Sequence, residues 1–110
     1  MQDSLISALC TEAQGGTLVY SGHFGTRLFE RPQPDRAGIR YLLCDDDPEI
    51  IESNAERPGW YSYLIWGIME TGRVAHVLCS PPPRPKVITA YWPDTEPSEW
   101  ADNYKRRVRS

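Results

Sequence analysis

The sequence predicts a single α+β domain in which N-terminal helices pack on a four-stranded antiparallel sheet, a meander, and a C-terminal helix follows. Apolar residues recur at helical spacing before residue 45, whereas the runs between residues 49 and 91 have the composition of strands. Residues 60–80 have the pattern of two long strands joined by a tight turn, at the centre of the sheet. At 110 residues, of which 40% are hydrophobic, the chain can bury one core, so residues 1–110 form one domain.

A first helix is predicted at the N-terminus. Asp3 or Ser4 can cap it, and a pair of glycines ends it. Its inward stripe consists of Leu5, Leu9 and Ala13. Residues 17–20 are few and β-prone, which predicts an edge strand or an extended lead-in. Residues 1–16 are therefore treated as an N-terminal helical extension, and residues 17–108 as the core of the domain.

A second helix carries the first candidate site residues. Ser21 can cap this helix, and Pro32 stops it. At about 100° per residue, one imidazole, two guanidiniums and one carboxylate fall within an arc of roughly 100°. These side chains belong to His23, Arg27, Arg31 and Glu30. The helix therefore presents a mainly basic face.

A third helix begins near Pro34, because proline suits the first turn of a helix. Its buried stripe consists of Ile39, Leu42 and Leu43. The acidic run at residues 45–47 predicts a turn, after which residues 49–52 begin the sheet. A flexible, polar connection is predicted for residues 53–59.

The central hairpin is predicted to place a histidine opposite a glycine. Between residues 60 and 69 neither alternate set of side chains is polar, as expected for a strand covered on both faces. Thr71 and Gly72 predict a two-residue turn, because glycine accepts the positive φ that such a loop needs. In that register Gly67 lies opposite His76. The missing side chain would leave room above the imidazole, so Gly67 is a predicted substrate-binding residue.

The rest of the chain predicts one more strand and one more helix. The prolines after Ser80 form a stiff loop. Residues 86–91 form the last strand, with alternate side chains on opposite faces. One face carries Val87, Thr89 and Tyr91, and the other carries Ile88 and Ala90. Residues 97–108 form the C-terminal helix, whose last turn is basic.

Composition narrows the class of protein. The net charge of −3 argues against a general nucleic-acid-binding field, and no DNA partner is expected. The sequence has neither a signal peptide nor an apolar run of membrane-spanning length, which predicts a cytoplasmic protein without a membrane partner. Cys10, Cys44 and Cys79 lack metal-binding spacing, which favours reduced, buried thiols. No metal site and no cofactor are predicted.

Several motifs follow one another in order along the chain. They are the H-x3-R-x3-R spacing of His23, Arg27 and Arg31, the strand Ala75-His76-Val77, the strand VITAY at 87–91, and Trp100 with Arg106 and Arg107. Over about residues 17–107 this set resembles a family of small bacterial domains of unknown function, which in turn resemble the RelE/ParE-like toxin fold. The resemblance implies a toxin–antitoxin component, a hydrolase that cuts RNA without a metal and is neutralised by a protein partner.

Metal-free RNA cleavage needs a base, an acid and cations that stabilise the charged phosphorane. Histidine suits the proton transfers, and arginine suits the phosphate. If the second helix packs across the sheet, its basic face can converge with the central and last strands. The predicted catalytic residues are His76, His23, Arg27, Arg31 and Tyr91, with Glu30 as an alternative base. Arg106 and Arg107 are predicted to bind the substrate from the C-terminal helix.

Each of these side chains also has a structural interpretation. His76 in a buried strand can be a core histidine bonded to tyrosine or to backbone. Arg27 and Arg31 can belong to a solvated helix face with local ion pairs, and the basic tail can be an ordinary helix end. The sequence therefore also supports a non-catalytic protein-interaction module, such as an antitoxin-like, immunity or inhibitor protein.

Overall fold

The structure is a computed structural model that describes residues 2–20, 34–44, 48–57, 60–80 and 85–108. The predicted second helix, which carries His23, Arg27, Glu30 and Arg31, lies outside the described residues. The acidic turn and most of the proline loop lie outside them as well.

The described part contains two α-helices, seven strands and two 3-10 turns. The helices are α1 (Gln2–Gly15) and α2 (Arg36–Cys44). The long strands and the first edge strand are β1 (Val19–Tyr20), β2 (Glu49–Arg57), β3 (Trp60–Ile68), β4 (Val74–Cys79) and β5 (Lys86–Tyr91). The 3-10 turns span Pro93–Thr95 and Pro97–Glu99, and β6 (Trp100–Ala101) and β7 (Arg106–Arg107) follow them. No described helix combines the length and the apolar character that crossing a membrane requires.

Five strands form one mixed sheet in the order β1-β5-β4-β3-β2. The pairs β2–β3, β3–β4 and β4–β5 are antiparallel, as predicted. β1 adds a strand that runs parallel to β5, with Val19 opposite Lys86. The predicted α+β class is confirmed, but the prediction of a four-stranded, entirely antiparallel sheet is wrong. The long connection between β1 and β5 allows the lead-in to join the sheet in the parallel direction.

Both described helices cover one face of the sheet, here called the helix face. The predicted stripes of α1 and α2 are buried there, with Leu9, Ile39 and Leu42 fully inaccessible. Strand residues of the same core include Ile65, Ala75, Val77, Cys79, Val87 and Ala90. Helical periodicity therefore identified the inward side of each helix correctly.

The α2 helix begins with a side-chain cap. The Oδ1 atom of Asp35 accepts a hydrogen bond from the backbone N–H of Gly38 at 2.7 Å. This bond satisfies one of the N–H groups that the first turn of a helix leaves without a partner. The cap fixes the start of the helix that carries Arg36 and Arg40.

Two strand predictions differ from the structure in detail. β2 continues to Arg57, so the predicted polar connection is strand through that residue. The nine residues of β3 supply partners for this polar edge, for example Ser62 opposite Asn54. In β5, Ile88 is an extra residue between two pairs of the β4 ladder. This bulge puts Val87 and Ala90 on the same face, although strict alternation would separate them.

The turn between β3 and β4 shifts the predicted register by one residue. The N–H of Gly72 bonds to the carbonyl of Met69 at 2.8 Å, and Met69 N–H bonds to the carbonyl of Arg73 at 2.8 Å. Gly72 has a φ of 90°. This is a three-residue loop with a bulge, not a two-residue turn. It pairs Gly67 with Ala75 instead of with His76.

Gly67 faces the helices, so its predicted role beside the imidazole is wrong. A Cβ atom added at Gly67 would overlap the side chain of Leu42. The glycine therefore permits close packing of α2 on the sheet, in keeping with the absence of a side chain where two elements approach closely.

A disulfide joins Cys10 of α1 to Cys44 of α2, with the Cα atoms 5.1 Å apart. The prediction of three reduced thiols is wrong for this pair. Only the fold brings together two cysteines that are 34 positions apart in the chain. Cys79 is free and fully buried in the helix-face core, and burial raises the pKa of its thiol to about 12.

The C-terminal helix is also absent, because residues 97–108 form a 3-10 turn and the β6–β7 hairpin. Three consecutive residues in the hairpin turn have positive φ: Asp102 at 54°, Asn103 at 57° and Tyr104 at 67°. That left-handed backbone cannot continue a right-handed helix. Trp100 therefore lies on strand β6, and Tyr104 lies in the turn that follows it.

Removing the disulfide is expected to destabilise the oxidised protein. The C10S/C44S double variant should lose about 2–4 kcal/mol in free energy of unfolding, because the bridge closes a loop of more than thirty residues. Urea unfolding measures this difference. Dithiothreitol should destabilise the wild type and leave the double variant unchanged. Equal stability of wild type and double variant would contradict the bridge.

Gly67→Ala should lower the free energy of unfolding by about 1–3 kcal/mol, because the added methyl group overpacks the contact with Leu42. Gly15→Ala is the matched control, since a Cβ there meets nothing closer than 3.8 Å. In the Leu42→Ala background, which opens space, the cost of Gly67→Ala should shrink. Additive costs in this double-mutant cycle would show that the two residues do not touch.

Candidate functional site

The face of the sheet opposite the helices carries a second buried cluster, here called the outer cluster. Its members are the buried side chains of Leu64, Trp66, His76 and Trp100, together with the half-buried Tyr91. Trp66 and His76 lie directly opposite each other on β3 and β4, so their side chains share this face. His76 is completely buried and Trp66 is 3% exposed. The predicted catalytic histidine is thus at the centre of a closed cluster.

The hairpin formed by residues 100–108, here called the C-terminal hairpin, covers the outer cluster. Trp66 Nε1 donates a hydrogen bond to the carbonyl of Asn103 at 2.8 Å. The Nε2 atom of His76 lies 2.7 Å from the carbonyl oxygen of Tyr104. The indole of Trp100 packs edge-on against the imidazole, with ring centroids 4.4 Å apart. Two buried polar rings of the sheet therefore bind two carbonyls of one turn.

Ion pairs fasten the same hairpin to β2. Lys105 pairs with Glu49, and Arg107 binds both carboxylate oxygens of Glu52, at 2.9 and 3.2 Å. Lys105 also lies over the ring of Trp66, and Arg107 over that of Trp100. A two-point arginine contact of this kind is geometrically specific. The hairpin is therefore held by charge on its edge and by aromatic packing at its centre.

The two arginines predicted to bind substrate are both engaged in ion pairs. Arg107 is bound to Glu52 and also interacts with the hydroxyl of Tyr91. Arg106 pairs with Asp102 across the hairpin turn at 2.9 Å, and both side chains are mostly exposed. An exposed pair of this type contributes about 0–1 kcal/mol. Both arginines are therefore engaged in contacts of the C-terminal hairpin.

The hydrogen bonds of His76 define its protonation. A carbonyl oxygen can only accept, so Nε2 carries the proton that bonds to Tyr104. In the neutral ring Nδ1 is then an acceptor, and it receives a hydrogen bond from the Tyr91 hydroxyl at 3.2 Å. Burial lowers the pKa of His76 to about 4, although the Tyr104 carbonyl and the charge of Glu52 act in the opposite direction. The imidazole is therefore neutral at physiological pH.

The hydroxyl of Tyr91 is suited to donate this hydrogen bond to His76. Burial raises the pKa of its hydroxyl to about 12, more than the neighbouring Arg107 lowers it. The hydroxyl consequently keeps its proton and can donate it to the Nδ1 atom of His76. The sequence grouped these two residues correctly as neighbours. Their contact satisfies one nitrogen of a fully buried ring, whereas Tyr91 itself is half-buried.

Sequence reasoning missed three members of this arrangement. The predicted register, in which Gly67 lies opposite His76, places Trp66 on the other face from His76, whereas the structure pairs Trp66 with His76. Glu52 was read only as the start of a strand. The carbonyl of Tyr104 could not be found, because a backbone oxygen leaves no mark in the amino-acid pattern. The convergence of His23, Arg27 and Arg31 on His76 remains a prediction, since those three residues lie outside the described ranges.

A second feature lies on the helix face, at the opposite end of the sheet. A cavity of about 300 Å³ opens between the end of α1, the start of α2 and β1. Its lining residues are Ala13, Gly16, Leu18, Tyr20, Arg36, Ala37 and Arg40. Two arginines one helical turn apart were the available sequence signal for this site. Within the described residues, no three His, Cys, Asp or Glu side chains form a metal-binding group.

The burial of His76 in its neutral form predicts that acid destabilises the fold. The pKa of His76 is about 4 when folded, against an ordinary value of 6.5, so the unfolded chain binds more protons between these values. Stability should therefore fall as the pH drops from about 6.5 towards 4, by about 2 kcal/mol between pH 8 and pH 5. In the His23→Gln background His76 is the only histidine. There, NMR titration of the imidazole and urea unfolding test both statements, and titration of the folded ring near pH 6.5 would contradict them.

The comparisons with known proteins give one family match. The family model described as a domain of unknown function (DUF4258) matches residues 20–92. This range contains Tyr20 of β1, all of α2 and β2 to β5, but neither α1 nor the C-terminal hairpin. No curated protein and no solved structure shows significant similarity to the chain. Because the match spans more than half of the 110 residues, the protein belongs to the DUF4258 family of domains of unknown function.

Proposed function

We propose that this domain is a non-catalytic protein-interaction module. The observation that carries the proposal is the state of His76, which is fully buried and has hydrogen bonds at both ring nitrogens. A general acid or base has to reach the proton that it transfers, directly or through one water. His76 in this position supports the fold of the outer face instead.

The outer edge of β2 is the surface best suited to a protein partner. β2 is the last strand of the sheet on its side, and β3 is its only strand neighbour among the described residues. Residues 52–55 pair in unbroken register with β3, between two irregularities of the ladder. Their outward backbone groups therefore form a short regular row to which an extended segment can add as a sixth strand.

The position of this edge is fixed before any partner arrives. Glu49 and Glu52 are held by Lys105 and Arg107 of the C-terminal hairpin. Such pre-organisation reduces the ordering cost of binding, since the strand does not have to adopt a new shape. The net charge of −3 further favours a basic partner segment, in line with an antitoxin-like, immunity or inhibitor role.

A RelE-like ribonuclease is the second candidate. It would use His23, Arg27 and Arg31 for the chemistry, in place of the enclosed His76. The observation that favours it is the presence of Arg36 and Arg40, two arginines without a carboxylate partner in the described part of the chain. Such cations could contact an RNA phosphate.

The proposal is tested by site-specific photocrosslinking in the cells that naturally make the protein. A benzoyl-phenylalanine at Ser53 on β2 should give a discrete adduct, whereas one at Glu70 in the β3–β4 turn should not; both positions are exposed. In the purified complex with the adduct's protein, hydrogen exchange of the amides at 52–55 should slow, because an added strand hydrogen-bonds to the edge. Equal adducts from both positions, or unchanged exchange, would contradict strand addition.

A cleavage assay separates the two candidates. The purified wild type should leave RNA intact, and its expression alone should not slow growth. RNA cleavage by the wild type that His76→Gln abolishes, with the fold retained by circular dichroism, would overturn the non-catalytic proposal. Cleavage that survives His76→Gln and requires Arg27 would support the second candidate instead.

A further inference from the structure

The cavity at the β1 edge has the chemistry of a binding site and is separate from the β2 edge. It lies at the opposite end of the strand order, so β5, β4 and β3 stand between the two surfaces. Its volume of about 300 Å³ is at the lower end of the range for small-molecule sites. Ligand binding here would therefore not depend on the proposed protein interaction.

Two cations of the cavity have no carboxylate partner among the residues that the structure describes. Arg36 and Arg40 are four residues apart on α2, so both point to the same side of the helix. Each of four other cations, Arg73, Lys105, Arg106 and Arg107, forms an ion pair with an aspartate or a glutamate. Within the described residues no such pair includes Arg36 or Arg40. Their charge is thus available to an anion.

Local contacts hold Arg36 in place. Its guanidinium lies 4.9 Å from the ring centroid of Tyr20. Burial raises the pKa of the Tyr20 hydroxyl above its ordinary value, so the ring remains uncharged beside an incoming anion. The nearby carboxylate of Asp35 is bound to the backbone N–H of Gly38 as the helix cap. This bond directs the carboxylate to the start of the helix.

Small residues make the space. Ala13 on α1, Gly16 just after α1 and Ala37 on α2 have little or no side chain, and Leu18 adds an apolar wall. The disulfide between Cys10 and Cys44 ties the two helices that form these walls. A ligand with an anionic group and a compact apolar body would match both parts of the lining.

We propose that this cavity binds a small phosphorylated organic molecule. The phosphate would lie between the guanidiniums of Arg36 and Arg40, and the organic body would lie against Leu18 and the small residues. Phosphate is the anion class that suits two arginines, because it offers three terminal oxygens and close to two negative charges at neutral pH. A carboxylate has one charge and two oxygens, so it leaves part of this donor set unused.

Phenyl phosphate is a suitable probe, because it combines a phosphate with a small apolar ring. In NMR titrations it should bind saturably to the wild type and shift the amide signals of Gly16 and Ala37. Arg36→Gln and Arg40→Gln should each raise the dissociation constant roughly 10- to 100-fold, since each removes charged hydrogen bonds. Arg106→Gln is the matched control, because Arg106 is an exposed arginine on the C-terminal hairpin, and it should change binding less than twofold.

The same titrations can overturn the proposal. Absence of saturation at millimolar phenyl phosphate, or equal weakening by Arg106→Gln, would mean that no specific phosphate site exists. Benzoate tests the anion class, and it should bind at least tenfold more weakly than phenyl phosphate; equal affinity would reject phosphate selectivity. Arg40→Lys keeps the charge and loses the fork, so it should fall between wild type and Arg40→Gln. Circular dichroism of each variant confirms that the fold is retained.

Discussion

The hydrogen bond between His76 and the carbonyl of Tyr104 joins the centre of the sheet to the C-terminal hairpin. A fully buried imidazole needs a partner at each nitrogen, and an unpaired donor would cost about 1–3 kcal/mol. The carbonyl reaches the ring from a turn in which Asp102, Asn103 and Tyr104 are left-handed. That backbone costs about 1–2 kcal/mol per residue, less for Asn and Asp. The turn and the buried ring therefore stabilise each other, and neither arrangement would be favourable alone.

The register of β3 and β4 decides which side of the sheet His76 occupies. With a two-residue loop, His76 would share a face with Gly67 and point towards the helices. The three-residue loop pairs it with Trp66 and turns it to the outer face. A one-residue shift reverses every side chain of a strand, because successive residues alternate between faces. Gly67 then packs against Leu42 of α2, and the C-terminal hairpin covers His76.

The sequence predicted those parts of the fold that local patterns determine. The stripes of α1 and α2 and the strands β3 to β5 follow from the spacing of apolar residues. The parallel β1, the disulfide and the ion pair of Arg107 with Glu52 depend on residues far apart in the chain. The prediction of a helix at residues 97–108 was wrong for another reason. Its side-chain spacing was helical, but long-range hydrogen bonds from Trp66 and His76 favour a left-handed turn.

Segments outside the family match complete both candidate sites. The match at residues 20–92 supplies His76, Tyr91, Arg36 and Arg40. The C-terminal hairpin, which closes over His76, follows that range, and α1 and the residue after it, which supply Ala13 and Gly16 to the cavity, precede it. Burial is what makes the imidazole neutral, and the end of α1 forms one wall of the open cavity beside the two arginines. The family core thus provides the reactive and charged groups, whereas the flanking segments determine what those groups can do in this chain.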